Sequence, residues 1–282
     1  MRIDLHTHST ASDGTDSPAA LVRIARDAGL DVVALTDHDT TGGWAEAADA
    51  LPADLTLVRG AEISCIDGDG ISLHMLGYLF DDAEPEFARE RELVRTDRVR
   101  RARAMVERCI ELGAPITWER VREIAGDGAV GRPHVATALA EAGVVADVSD
   151  AFTPEWLKDG GRAFVGKYEI TAVRAVRLIR AAGGVPVFAH PAASKRGRTV
   201  SDATIEELAE AGLAGLEVDH LDHDDETRAR LRDLARGLGL VATGSSDYHG
   251  SRKIIGIGQF TTDPEVFAAI ADQGRGVPLL RA

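Results

Sequence analysis

Short apolar runs alternate with amphipathic stretches of helical period along most of the chain. The apolar runs occupy residues 2–7, 32–36, 56–64, 72–79, 185–189, 215–218 and 240–244. Most positions in them are apolar, and such runs are typical of strands buried on both faces of a parallel sheet. Helices are expected between them, at residues 17–28, 41–50, 170–182, 201–211 and 225–238. The alternation predicts an α/β fold, either a barrel or a doubly wound sheet.

This alternation is interrupted between about residues 81 and 166. The segment is charged, has helical patterns at 84–112, 118–125 and 134–142, and contains no apolar run typical of a core strand. The sequence therefore predicts two domains. Residues 1–80 and 167–282 would form the barrel, and residues 81–166 a helical insertion of the kind that covers a substrate site.

Composition narrows the classes of partner. Among 282 residues, 46 are acidic and 32 are Lys or Arg, so the formal charge is −14. This charge argues against a basic groove for duplex DNA but permits a small phosphorylated ligand. The two cysteines, Cys65 and Cys109, form no metal-binding or disulfide pattern, and no apolar run is long enough to span a membrane. We therefore expect a cytoplasmic protein; its oligomeric state is not predicted.

Histidines and carboxylates gather where the predicted strands end. In His6-Thr7-His8 the two imidazoles occupy alternate positions and share one side of the first strand. In a parallel barrel the carboxyl ends of all strands meet on one face, so the groups near the later strand ends should join them. The candidate metal ligands are His6, His8, Asp13, His38, Glu62, His74, His190, Asp247 and His249.

Each of these residues also has a structural explanation when it is taken alone. Glu62 could pair with a buried arginine, His74 could be a hydrogen-bonded core histidine, and His190 could end a strand. Asp13 fits a turn, and Asp39 could be the N-cap of a helix that follows Thr40. A single site for several metal ions explains them together. Imidazole and carboxylate ligands without thiolates suit Mn²⁺, Fe²⁺ or Zn²⁺, and neighbouring ions of this kind promote phosphoester hydrolysis.

Four blocks carry a family resemblance: His6-Thr7-His8, Thr36-Asp37-His38, Ala189-His190-Pro191 and Ser246-Asp247-Tyr248-His249. Their order and separation, within residues 1–79 and 188–250, resemble the PHP (polymerase and histidinol phosphatase) family. The resemblance implies a distorted (β/α)7 barrel of the TIM-like type and three divalent metal ions, for which Mn²⁺ is expected and Fe²⁺ or Zn²⁺ are alternatives.

The resemblance also assigns ligands and catalytic groups. The first ion would be held by His6, His8, Glu62 and Asp247, the second by Glu62, His74 and His190, and the third by Asp13, His38 and His249. A hydroxide shared between ions would attack phosphorus. The residues assigned to catalysis are Asp247, His190 and His249.

Within the family, the chain looks most like stand-alone phosphoesterases with a helical insertion after His74. Such members remove the 3′-phosphate from 3′,5′-bisphosphonucleotides, and some trim short 5′-phosphorylated RNA. Their insertion carries an Arg-Pro-His element, matched here by Arg132-Pro133-His134, and a later basic residue for which Lys167 is the candidate. His220 is a further candidate for substrate contact or ligand support, whereas His223 is expected on a surface loop.

Three alternatives remain open on the sequence alone. A phosphodiesterase for cyclic phosphates and a histidinol-phosphate phosphatase would use the same ions, and the insertion would have to distinguish them. A non-enzymatic accessory of a polymerase is the third, and the short acidic chain with a complete ligand set argues against it.

Overall fold

The computed structural model describes residues 1–126, 130–166, 168–194 and 197–281, without the side chain of Arg98. The strands are β1 Ile3–Asp4, β2 Val32–Leu35, β3 Thr56–Ile66, β4 Ser72–Tyr78, β5 Ile170–Thr171, β6 Val185–Phe188, β7 Gly215–Asp219, β8 Val241–Gly244 and β9 Leu280–Arg281. The α-helices are α1 Pro18–Asp27, α2 Trp44–Asp49, α3 Pro85–Glu111, α4 Trp118–Ala125, α5 Arg132–Glu141, α6 Ala172–Ala181, α7 Asp202–Glu210, α8 Asp225–Gly237 and α9 Pro264–Gln273. Short 3₁₀ helices cover Val148–Ala151 and Gly250–Arg252.

The nine strands of the described residues belong to one sheet, in the order β1-β2-β3-β4-β6-β7-β8, with β5 and β9 paired to β3. The pairs within β1–β3 and within β6–β8 are parallel. A bridge between Thr7 and Tyr248 joins the segment after β1 to the segment after β8, so the sheet is nearly closed. The barrel-shaped sheet confirms the predicted fold class.

The sheet is not parallel throughout, which corrects the expectation from the apolar runs. Strand β4 is antiparallel to both β3 and β6. Only residues 67–71 separate β3 from β4, and a parallel crossover needs a much longer connection. The carboxylate of Asp67 instead accepts hydrogen bonds from the backbone N–H groups of Asp69 and Ile71, at 2.9 and 2.7 Å, and holds a hairpin turn.

The reversal of β4 explains the position of one candidate ligand. His74 stands near the start of its strand, not at the end, and pairs in register with Ser64 near the end of β3. Because the two strands run in opposite directions, the start of β4 lies at the sheet edge where β3 ends. The hairpin thus brings His74 to the same edge as the residues that follow the parallel strands.

Two compact units divide the chain: residues 1–91 with 169–282, and residues 92–168. The first boundary lies later than the residue 81 that the sequence suggested, because the beginning of α3 packs on the barrel. The guanidinium of Arg91 lies over the rings of Phe80 and Phe87, at 5.2 and 5.1 Å, and donates to the carbonyl of Asp82 at 2.6 Å. These contacts attach the first turns of α3 to the barrel unit.

The unit of residues 92–168 has its own hydrophobic core. Met105 and Cys109 of α3 pack there with Val121 of α4 and with Val135 and Leu139 of α5, all fully buried. In the described part of the chain, no helix is both long and apolar enough to cross a membrane. α3 has sufficient length, but charged residues occur along it.

Candidate metal centre

The carboxylate of Glu62 in β3 lies at the middle of the candidate site. Its side chain is 1% exposed, although an unpaired buried charge would be costly. Imidazole nitrogens surround it instead of the arginine considered from the sequence. The distances to its two oxygens are 3.3 Å from His6, 3.1 Å from His8, 3.1 Å from His38, 2.8 Å from His74 and 3.1 Å from His190.

The surrounding side chains form three overlapping groups in which the potential ligand atoms lie within 4.8 Å of one another. The groups are His6, His8 and Asp247; His38, Glu62 and His74; and His8, Asp13, His38 and His249. His190 adjoins the second group through Glu62. All the candidate ligands from the sequence therefore lie in one continuous cluster. His8 and His38 each belong to two of these groups, so the groups overlap at their imidazoles.

The spacing of these atoms fits divalent metal ions. Ligands bound at about 2.1 Å, with angles between those of octahedral and tetrahedral geometry, lie about 3.0 to 3.4 Å apart. The Nε2 atoms of His6 and His8 are 3.0 Å apart, and each lies 3.4 Å from Oδ1 of Asp247. Within the described residues, the buried Nδ1 atoms of His38 and His74 lie 3.1 and 2.8 Å from Glu62 oxygens but lack hydrogen-bond geometry, so ligation would satisfy them.

The cluster is also electrostatically suited to cations. Burial raises the pKa of Glu62, but the positive charges of the surrounding histidines outweigh it, so the pKa lies well below its ordinary value. Burial lowers the pKa of His8, whereas its hydrogen bonds to Asp247 and Glu62 raise it, with a net pKa of about 9. Glu62 and Asp247 thus remain ionised and hold protons on His6 and His8, whereas burial lowers the pKa of His38 and of His249. Metal binding would displace such protons.

Glu217 of β7 is a buried carboxylate beside the cluster that the sequence analysis did not identify. It is fully buried, and its Oε1 lies 2.9 Å from Nδ1 of His6 while its Oε2 accepts from the backbone N–H of His190 at 2.8 Å. Burial raises the pKa of Glu217, but the charge of His6 brings it down to about 2. This carboxylate directs Nε2 of His6 into the cluster. A charge within an apolar strand, the signal that identified Glu62, would also have found Glu217.

Three buried Asp-Ser pairs hold the loops that carry the ligands. Asp4 accepts from the N–H and Oγ of Ser246, at 3.1 and 2.5 Å. Asp37 accepts from the N–H and Oγ of Ser9, at 2.8 and 2.7 Å. The third pair is Asp39 with Ser64, whose N–H and Oγ donate at 2.7 and 2.9 Å. Asp39 is therefore not the N-cap considered from the sequence; Gly43 occupies that position before α2.

Substitution of Ser246 by alanine tests the pair at the last strand end. The change removes the Oγ donor to the buried Asp4 carboxylate, and an incompletely satisfied buried group costs about 1–3 kcal/mol. We expect the free energy of unfolding, measured by urea denaturation, to fall by about this amount. Ser194→Ala, at an exposed position, is the control and should change stability little. Equal stabilities of the two variants would contradict the role of the pair.

Two of the ligand candidates have left-handed backbone conformations. His190 has a φ of 33° and Asp247 a φ of 53°. Such conformations cost about 1–3 kcal/mol at a non-glycine residue and persist where surrounding contacts enforce them. Here Glu217 holds the N–H of His190, and Asp4 holds the N–H of Ser246 next to Asp247. The strain lies at the positions where strands β6 and β8 turn their side chains into the cluster.

His220 and His223 follow β7, and both are buried, at 1% and 2% exposure. Nε2 of His220 lies 3.3 Å from Oδ2 of Asp247, so it contacts a candidate ligand directly. His223 is not on a surface loop, which corrects the expectation. Its Nδ1 lies 2.8 Å from the carbonyl oxygen of Val218, and its Nε2 accepts from the N–H of Ala192 at 3.3 Å. His223 thus ties β7 to the loop after His190.

The substrate contacts expected from the insertion belong to the unit of residues 92–168. The Arg132 guanidinium pairs with Asp159 and lies over the rings of Phe152 and Phe164, at 5.5 and 5.9 Å. His134 accepts from the N–H of Gly131 at 2.9 Å, at the beginning of α5. Lys167 lies outside the described residues.

Two cavities adjoin the cluster in the barrel unit. One, of about 520 Å³, is lined by Asp13, His38, His220, Asp247 and His249 on one side and by Leu221 and residues 252–255 on the other. A second, of about 190 Å³, lies beside His74 and His190 and includes Phe188 and Arg198. Candidate ligands therefore form part of the walls of both cavities.

Curated relatives resemble the chain over most of its length. A 5′-3′ exoribonuclease of Haemophilus influenzae is 33% identical, covering 88% of this chain and 90% of the relative. A 3′,5′-nucleoside bisphosphate phosphatase of Chromobacterium violaceum is 33% identical, covering 88% and 87%. A phosphoribosyl 1,2-cyclic phosphate 1,2-diphosphodiesterase of Eggerthella lenta is 31% identical, covering 88% and 94%. The three names describe different reactions of phosphoric esters.

Two solved structures also resemble this chain over nearly its whole length. A Bifidobacterium adolescentis protein described as a candidate metal-dependent phosphoesterase has a TM-score of 0.84 at 36% identity, covering 97% of this chain and 96% of that one. A Chromobacterium violaceum amidohydrolase with bound sulfate and no metal has a TM-score of 0.80 at 30% identity, covering 100% and 98%. The PHP domain pattern itself matches residues 4–92. The chain belongs to the PHP family of metal-dependent phosphoesterases and is a hydrolase of phosphoric esters.

Proposed function

We propose that the protein removes the 3′-phosphate from 3′,5′-bisphosphonucleotides, such as adenosine 3′,5′-bisphosphate, and that it also trims short 5′-phosphorylated RNA. The observation that carries the proposal is the convergence of three ligand groups around Glu62 beside a cavity of about 520 Å³. Relatives named for both reactions, at 33% identity over most of the chain, support this choice of substrate class.

The cluster would hold three divalent ions, with Mn²⁺ the first choice and Fe²⁺ or Zn²⁺ the alternatives. His6, His8, Glu62 and Asp247 would bind the first ion, Glu62, His74 and His190 the second, and Asp13, His38 and His249 the third. Ions held in this way activate water and neutralise the charge on phosphoryl oxygens. Ligands of this N and O type do not distinguish among these metals.

The residues proposed for catalysis lie at the walls of the two cavities. Asp247 and His249 line the cavity of about 520 Å³, and His190 lines that of about 190 Å³. Because all three residues are also proposed ligands, they would act in catalysis by fixing the ions that stabilise charge on a phosphate ester oxygen. Nδ1 of His249 is 2.8 Å from the carbonyl oxygen of Asp247, which orients its Nε2 toward Asp13.

A phosphodiesterase for cyclic phosphates is the second candidate function. The Eggerthella lenta relative, 31% identical over 88% of this chain, favours it. The metal ligands would be the same for both functions. The two are therefore distinguished by whether the enzyme prefers a substrate with a second phosphate.

A panel of substrates tests the proposal. We expect Mn²⁺-loaded protein to cleave adenosine 3′,5′-bisphosphate with a higher kcat/KM than AMP, a cyclic phosphate or histidinol phosphate. Phosphate release is the measurement, and a metal chelator should abolish it. Preference for the cyclic phosphate would favour the second candidate, and no release from any of the substrates would refute the proposed function.

Replacing Arg132 by alanine tests recognition of the second phosphate. A charged hydrogen bond contributes about 1.5–3 kcal/mol, so KM for the bisphosphate should rise about 10- to 100-fold. KM for AMP should change much less. Arg132→Lys keeps the charge and separates substrate binding from the contacts with Phe152 and Phe164. Arg103→Ala, an exposed position in the same unit, is the control. Equal losses with both substrates would contradict the role of Arg132.

A further inference from the structure

Lys253, a residue of the barrel unit, places a positive charge beside the candidate metal ligands. Its ammonium nitrogen lies 2.5 Å from Oδ2 of Asp247 and 3.3 Å from the Asp247 carbonyl oxygen. The side chain is 28% exposed and lines the cavity of about 520 Å³. Over the described residues, no other lysine or arginine forms an ion pair with a candidate ligand. The sequence analysis assigned this residue no role.

The hydrogen-bonding capacity of Lys253 is only partly used. An ammonium group has three donors, and the two oxygen atoms of Asp247 account for two of them. No described side chain or carbonyl accepts from the third, which remains available to a ligand in the cavity. Oδ1 of Asp247 lies on the side of His6 and His8, at 3.4 Å from each, whereas Lys253 contacts Oδ2. The lysine therefore leaves the ligand face of the carboxylate open.

The charge around the cavity favours a cation of the protein beside an anionic substrate. The chain has a formal charge of −14, and Asp13, Asp222 and Asp247 all line this cavity. A phosphate group that approaches them is repelled unless positive charge lies nearby. Arg252, also in the cavity lining, is exposed and has no ion-pair partner within the described residues. Residues 252 and 253 thus form a local cationic pair.

We propose that Lys253 binds an oxygen of the phosphoryl group that is cleaved, while Arg252 attracts the anion toward the cavity. The proposal rests on the proposed function, because it places the reacting phosphoryl group next to Asp247. It differs from the role of Arg132 and Lys167, which concerns a second phosphate. Lys253 should therefore matter for every phosphoester substrate, with or without a second phosphate.

The test compares Lys253→Met with the wild type, both loaded with Mn²⁺, using inorganic phosphate as the probe in isothermal titration calorimetry. We expect phosphate affinity, and kcat/KM with AMP and with the bisphosphate, to fall by similar factors of about 10 to 100. Bound metal, measured by mass spectrometry, should stay the same. Lys253→Arg should retain most of the phosphate affinity. Arg230→Gln, at an exposed pair with Asp202, is the control and should change nothing.

Unchanged phosphate affinity in Lys253→Met would overturn the inference. So would a wild type that binds no phosphate. Loss of bound metal together with phosphate affinity would also overturn it, because Lys253 would then act only by positioning Asp247. A wild type that hydrolyses no phosphoester, but binds phosphate in a Lys253-dependent way, would refute the hydrolytic function and support this site.

Discussion

Asp247→Asn is expected to reduce kcat/KM about 10³-fold with every phosphoester substrate. The substitution keeps the size of the side chain but removes the charge that faces Nε2 of His6 and His8 at 3.4 Å. It also removes the charge that pairs with Lys253 and His220 on the other oxygen. A metal ion and its ligands contribute several kcal/mol to stabilisation of phosphoryl charge, which corresponds to a loss of this size.

The effect of Asp247→Asn is measured from phosphate release and from metal content. We expect loss of about one metal ion per chain, because Asp247 belongs to one of the three ligand groups. The matched control is Asp233→Asn, which removes an exposed carboxylate paired with Arg236 on α8 and should leave both quantities unchanged. Turnover close to that of the wild type with a full complement of metal would exclude Asp247 as a ligand.

Glu62→Gln should reduce metal binding more than Asp247→Asn does, because the Glu62 carboxylate lies next to imidazoles of all the ligand groups. Glutamine has nearly the same shape but carries no charge, and its amide cannot act as a bridging anionic ligand. We expect bound metal to fall by more than one ion per chain, and kcat/KM to fall by at least about 10³-fold. Metal content by mass spectrometry, compared directly with Asp247→Asn, is the decisive measurement.

The control for Glu62→Gln is Glu206→Gln, an exposed carboxylate on α7. If Glu62→Gln and Asp247→Asn lost the same amount of metal, Glu62 would bind one ion only, and its proposed role as a ligand shared by two ions would be wrong. If Glu62→Gln kept all its metal, the cluster would be held by the histidines and by the carboxylates of Asp13 and Asp247.

Much of the barrel could be predicted because its strands and helices have strong local signals. Strands β2, β6 and β8 are short apolar runs, and α1 begins where Ser17 caps a helix with proline at its first position. Strands β5 and β9 were missed. Each is two residues long and exists only because it pairs with β3, so neighbouring sequence carries no signal of it.

The identity of the candidate ligands was also accessible from sequence, since they follow strands or interrupt apolar runs. The distances between these residues could not be predicted. His8 and His38 each belong to two groups of neighbouring ligand atoms, which depends on the distance between loops that are far apart in the chain. The residues that contact the candidate ligands also differ in how far the sequence could predict them. Glu217 had a recognisable signal, whereas Lys253 became visible only through its contact with Asp247.

The fold class, most elements of the barrel and the residue types of the candidate ligands could be predicted from the sequence, because they follow from local hydrophobic pattern and from residue identity. The folded structure was needed to show that β4 reverses direction, that Glu62 lies among five histidines and that a lysine flanks Asp247. These features arise from contacts between distant segments. Hydrogen bonds and ion pairs of that kind depend on three-dimensional distance, which spacing along the chain does not encode.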